Sequence, residues 1–76
     1  MYSSTISINN IDTAREFVDE MSKFMDADIT LISGDYRIDG HSIIGIISLD
    51  FSKPITVEAS GNVTDELINT LKKYDI

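Results

Sequence analysis

Few side chains in this sequence are of a type that does covalent chemistry. Histidine occurs once, at His41, and Ser42 follows it directly. From the residues alone, Ser42 suits the cap of a short helix. The lone His41 is expected as a solvated surface side chain. With no Cys and a single His, disulfides, thiolate metal sites and His-rich metal centres are excluded. Acidic residues are scattered, but no Asp-x-Asp-x-Asp-Gly loop is present, and Asp26 and Asp28 read as a turn rather than a calcium site. No Gly-rich phosphate loop appears. These residues predict no enzyme, no metal and no cofactor.

The elements holding these residues must fit within 76 residues, which bounds the chain to one domain, expected over 1–76. Thirteen acidic against six basic residues give a net charge of −7, a field that repels phosphate backbones and argues against nucleic-acid binding. No basic stretch precedes an apolar core at the N-terminus, and no apolar run approaches the ~18 residues a membrane span needs. The chain is therefore expected in the cytoplasm, without membrane insertion.

Ser3 to Asn9 alternates, with Ile6 and Ile8 on one side, as a half-buried strand does. A helix is predicted from about Asp12 to Phe24. Thr13 and Glu16 suit a capping box there, or Asp12 caps it, and Ala14, Phe17, Val18, Met21 and Phe24 form the apolar face. Ile29 and Leu31 mark a second strand, Ser33-Gly34-Asp35 a hairpin turn, and Tyr36 and Ile38 the return strand. Ile55, Val57 and Ala59 alternate in a strand after Pro54. Asn62 is placed as the cap of a last helix, with Val63, Leu67, Ile68 and Leu71 inward and Lys72-Lys73 near its end. Between these lies the most apolar run, His41-Ser42-Ile43-Ile44-Gly45-Ile46-Ile47-Ser48-Leu49. β-Branched Ile and a central Gly favour a buried strand, while Ser42 suits the cap of a short helix, and eight residues leave both open. The order β-α-β-β-(α or β)-β-α predicts an α+β fold with helices on one face of an antiparallel sheet and the other face solvated.

From Phe17 to Gly61 the chain resembles HPr, the small phosphocarrier of the phosphoenolpyruvate-dependent sugar phosphotransferase system. The resemblance rests on Ser22-Lys23-Phe24, Asp26-Ala27-Asp28-Ile29, Ser42-Ile43-Ile44-Gly45-Ile46-Ile47-Ser48-Leu49 and Ile55-Thr56-Val57-Glu58-Ala59-Ser60-Gly61. It implies an open-faced β-sandwich, βαββαβα, with a four-stranded antiparallel sheet covered on one face by three helices. It also turns residues 42–49 into a helix.

The family carries Gly-Ile-His-Ala-Arg-Pro-Ala into its first helix, where this chain has Ile8-Asn9-Asn10-Ile11-Asp12-Thr13-Ala14. The resemblance thus sets Asn10 at the place of the phosphorylated His, Asp12 at that of the Arg and Thr13 at that of the Pro. An amide is not basic and carries no labile phosphoryl group. Asp12 and Glu16 stabilise the helix dipole but repel an incoming phosphate. What the resemblance then implies is an HPr-like domain without the phosphoryl-accepting His, working as a protein-binding or regulatory module. Ile43, Ile44 and Ile47 stand at the family's partner-docking positions, and Ile46 and Leu49 at its core positions. Partners of the kinds that act on the family are implied: phosphotransferase-system enzymes, a kinase or a transcription regulator. Two alternatives are a working phosphocarrier and a regulator switched by phosphorylation at Ser42, where Asp39 and the general acidity oppose an added charge of about −2.

Overall fold

Alternation builds the sheet. Ile29, Leu31, Ile55, Val57 and Ala59 are all buried, and the polar residues between them face solvent or lie half-exposed. The computed structural model describes residues 1–76. Its elements are β1 (Tyr2–Ile6), α1 (Ile11–Met21), β2 (Ala27–Ser33), β3 (Tyr36–Asp39), α2 (Ile43–Ile47), β4 (Ile55–Gly61) and α3 (Asp65–Lys72). One four-stranded sheet has the order β1-β4-β2-β3, antiparallel at every pairing.

The register explains which face is dry. Ser4, Val57, Leu31 and Ile38 form one cross-strand row toward the helices. The adjacent row, Thr5, Thr56, Ile32 and Arg37, faces away. On that open face Arg37 reaches diagonally over β2 to Glu58 at 3.0 Å. The helices cover the other face with Ala14, Phe17 and Met21 from α1, Ile46 from α2, and Leu67 and Leu71 from α3. All join one apolar cluster, to which Ile8 and Leu49 also belong. Burying a side chain such as Phe17 completely contributes about 2–3 kcal/mol. The open-faced α+β architecture is the expected one.

Several boundaries differ from the sequence reading, each for a local reason. The cap of α1 is Asn10, one turn earlier than a Thr13 cap. Its backbone is extended and its Oδ1 accepts from the Thr13 N–H at 2.8 Å, so the helix begins at Ile11. The helix closes at Met21, and Phe24 packs against the core from the turn that follows. The cap of α3 is Thr64, not Asn62. Thr64 Oγ1 accepts from Leu67 N–H at 3.1 Å, while Asn62 still follows β4, its N–H donating to the Asp26 carbonyl at 3.3 Å. Residues 43–47 are helical against intrinsic propensity. Ser42 caps them, and the helix turn that follows buries Ile46 and Leu49 on the same side.

The last residues fold back onto β1. Ser7 N–H donates to the Tyr74 carbonyl at 2.8 Å, Ile76 N–H to the Thr5 carbonyl at 3.2 Å, and Ile6 bridges Asp75. The Tyr74 ring stands edge-on to Phe17, with centroids 5.1 Å apart. No helix is long and apolar enough to cross a membrane.

Candidate functional site

Two neighbouring helix starts carry the residues singled out in the sequence, and α1 packs against α2. At the first, Asn10 is exposed and its side chain is engaged as the helix cap. Its neighbour Asn9 accepts from the Ser7 hydroxyl at 2.7 Å. Asp12 lies exposed in the first turn, the only charged residue there. The Asn10 amide oxygen satisfies one orphan donor of the helix from within the chain, and the Asp12 carboxylate complements the helix dipole.

At the second, Ser42 is half-buried and its Oγ accepts from Gly45 N–H at 3.2 Å. The Ser48 hydroxyl closes the far end on the Gly45 carbonyl at 2.6 Å. Gly45 lies over β3, where an added Cβ would stand 3.5 Å from the Cβ of Ile38, ordinary contact distance. The isoleucines divide three ways. Ile46 is fully buried. Ile43 is half-buried and packs on the core, so it is a weaker surface residue than its two companions. Ile44 is 77% exposed and Ile47 43% exposed. They sit three positions apart and project from one stripe of α2. Two exposed isoleucines on one short helix thus present an apolar stripe to water.

His41 is not the solvated side chain expected. Its side chain is only 15% exposed, its Nδ1 lies 3.1 Å from Asp39 Oδ1, and its backbone N–H donates to the same oxygen at 2.9 Å. The Asp39 carboxylate therefore selects the tautomer protonated at Nδ1. Nε2 is buried with no partner. Asp39 thus pins the residue that precedes Ser42, a role with no periodic signal in the sequence. Gly40 between them approaches Ile29 so closely that an added Cβ would lie 2.9 Å from the Ile29 Cβ. This close backbone approach sets where β3 leads into α2.

Asp50, just past α2, is held below the usual carboxylate range. The Ser52 hydroxyl at 2.6 Å is the main cause, followed by the Ser52 N–H at 3.0 Å, with Lys53 at 3.9 Å adding attraction. On α1, Glu20 is likewise lowered, first by its hydrogen bond from Lys73 and then by Lys23. No group of three or more metal-ligating side chains comes together.

The comparisons with known proteins agree with this architecture. The family model described as "PTS HPr component phosphorylation site" matches residues 5–74. Among solved structures, HPr-C-His from Thermoanaerobacter tengcongensis is 30% identical, with a TM-score of 0.80, over 96% of this chain and 89% of that one. Phosphocarrier protein HPr from Bacillus anthracis str. Ames is 26% identical, with a TM-score of 0.74, over 99% of this chain and 94% of that one. No curated protein matches the sequence. On the family match and this likeness of fold and sequence, the chain belongs to the HPr family of the phosphotransferase system, whose members are phosphocarriers and not enzymes.

Proposed function

We propose that this HPr-family chain no longer carries a phosphoryl group at the start of α1 and acts instead as a protein-binding or regulatory module through α2. The observation that carries the reading is Asn10. Its side chain stands at the helix cap, where the family resemblance puts the phosphorylated His, and its Oδ1 accepts the Thr13 N–H at 2.8 Å. An amide nitrogen has no basic lone pair to take a phosphoryl group. Asp12 in the first turn adds a negative charge where an incoming phosphate needs a cation. His41 does not replace the lost nucleophile, because its Nε2 is buried and its Nδ1 is bonded to Asp39.

The exposed Ile44 and Ile47, with half-buried Ile43 behind them, form the docking surface for a protein partner. Phosphotransferase-system enzymes, a kinase or a transcription regulator are the partner classes, and the cytoplasm is the compartment in which they meet it. Incubation with phosphoenolpyruvate and the general phosphotransferase enzyme is expected to leave the intact mass unchanged. A chain one phosphoryl group heavier sinks the reading and restores a working phosphocarrier. Docking is tested by amide shift mapping with the same enzyme. Shifts are expected in Ser42–Leu49 and are expected to vanish in Ile44→Ser/Ile47→Ser.

A second reading is switching at Ser42. Its hydroxyl lies at the start of α2 with the Gly45 N–H 3.2 Å away, a donor that a phosphate there would also use. Treatment with an HPr-type kinase should then add one phosphoryl mass to the natural chain and none to Ser42→Ala.

A further inference from the structure

Helix α2 has only five residues, Ile43–Ile47, and four of them are β-branched isoleucines. A helix this short does not hold itself together in water, since its first turn fixes several dihedrals for a single hydrogen bond. Buried Ile46 anchors it to the core. Its start is anchored by a run of hydrogen bonds that begins on one residue. Asp39 ends β3, and its Oδ1 accepts the His41 N–H at 2.9 Å and lies 3.1 Å from His41 Nδ1. The Asp39 carbonyl accepts the Ser42 N–H at 3.0 Å. Two successive backbone N–H groups ahead of α2 thus end on the same residue. The Gly40 N–H donates to the Ile29 carbonyl at 2.8 Å and ties the same turn to β2. Ser42 carries the order into the helix, its Oγ accepting the Gly45 N–H at 3.2 Å and its carbonyl the Ile46 N–H at 3.0 Å. The His41 side chain is 15% exposed against 66% for Asp39, so the packed ring fixes the carboxylate that meets it.

We propose that Asp39 and His41 form a clasp that holds α2 in its helical state. Both are positioning residues: they precede α2 and act through Ser42 on the turn that presents Ile44 and Ile47. Without the carboxylate, the His41 N–H and the ring Nδ1–H lose their acceptor together, and the turn into the helix is free to open. The clasp belongs to the chain alone and does not depend on the docking reading above. Where a partner docks, the clasp offers it a surface already ordered, so less of the contact energy goes into ordering it.

Amide hydrogen exchange on the full chain labelled with 15N tests this, with the amides of β4 as the measure of global opening. Asp39→Ala is expected to speed exchange at Gly45 and Ile46 by about threefold to tenfold while β4 stays unchanged. His41→Ala should speed the same two amides, and adding it to Asp39→Ala should change them by less than about twofold, because the pair acts as a unit. Asp39→Asn keeps an Oδ1 acceptor and should restore exchange to within about twofold of the natural chain. Unmoved Gly45 and Ile46 amides in Asp39→Ala, an equal rise in β4, or effects of the two alanine changes that simply multiply would each overturn the clasp. The general phosphotransferase enzyme is the probe for its use in docking. Asp39→Ala should weaken binding and Asp39→Asn should not. Loss in both variants, with exchange normal in Asp39→Asn, would make Asp39 a contact residue and overturn the positioning role. If the natural chain does not bind that enzyme, the docking reading fails and exchange alone decides the clasp.

Discussion

Tyr74 makes alkaline stability a sensitive probe of how the chain end is held. Its ring is 7% exposed against Phe17, and its hydroxyl lies 3.5 Å from Glu16 Oε1. Burial pushes the phenol from 10.0 up to about 12, with the Glu16 and Glu20 carboxylates adding to the effect. The folded state thus keeps its proton where the unfolded chain has released it. The stabilisation is fully present below pH 10 and is lost as the pH rises from there to about 12. Each pH unit well inside that window removes about 1.4 kcal/mol, and rounding at its two ends leaves a loss of about 2 kcal/mol by the top of the window. Urea unfolding at pH 9 and pH 12, on the natural chain and Tyr74→Phe, isolates this group from everything else that titrates. The natural chain is expected to fall by about 2 kcal/mol relative to the Phe variant across the interval. A constant difference between the two proteins over the same range would refute the assignment of a buried, carboxylate-flanked phenol.

Three further outcomes follow from particular contacts. Gly40→Ala forces a Cβ to within 2.9 Å of the Ile29 Cβ and should cost about 1–3 kcal/mol in thermal or urea unfolding, whereas Gly45→Ala meets only ordinary contacts and should be neutral or slightly stabilising. Asn10→Ala removes the cap on Thr13 N–H and should cost about 1 kcal/mol, while Asn10→Asp, which keeps the acceptor, should not; equal losses in both would show that the cap is not what matters. Lys73→Gln removes the main cause that lowers Glu20, so the Glu20 carboxyl followed by NMR titration should move up toward its ordinary range, and an unmoved titration would show that Lys23 alone holds it.

Much of the fold is legible in the sequence because it depends on two periodicities. Period two in residues 55–59 and period three-to-four in Ala14, Phe17 and Met21 report burial directly, and both survive in the structure. The α2 segment is not legible this way. Its propensity favours a strand, and only the family resemblance points to a helix, since Ile46 and Leu49 act through contacts with distant elements. The helix starts lie one or two residues from their expected places because Asn10, Asp12, Thr13, Asn62 and Thr64 are all chemically competent caps. The choice among them is made by where the preceding strand releases the chain. At the candidate site, Ile44 and Ile43 are identical residues one position apart, and only packing makes one a surface group and the other half-buried. His41 departs from its expected solvated place for a related reason. A buried imidazole gives no pattern, and its partner Asp39 looks like any turn residue at the end of a strand. Tyr74 likewise follows the last helix and carries no periodic signal, yet it closes the core over Phe17.

The docking of the last residues on β1 also bears on the order in which the molecule assembles. Every partner of β1 lies far along the chain: Tyr2 opposite Ala59, Ile6 opposite Ile55 and Asp75. The β2–β3 hairpin, by contrast, closes over Gly34 with Ser33 directly opposite Tyr36. Closing a long loop costs entropy before any contact rewards it, so the hairpin is expected to order early and β1 to be captured late. Damage to the two regions should then differ in kind. Gly34→Val strains a turn at φ 60° and should chiefly slow refolding, while Tyr74→Leu should leave refolding nearly unchanged and speed unfolding. The strand nearest the start of the sequence is, on this view, the last to be secured and the first to be let go.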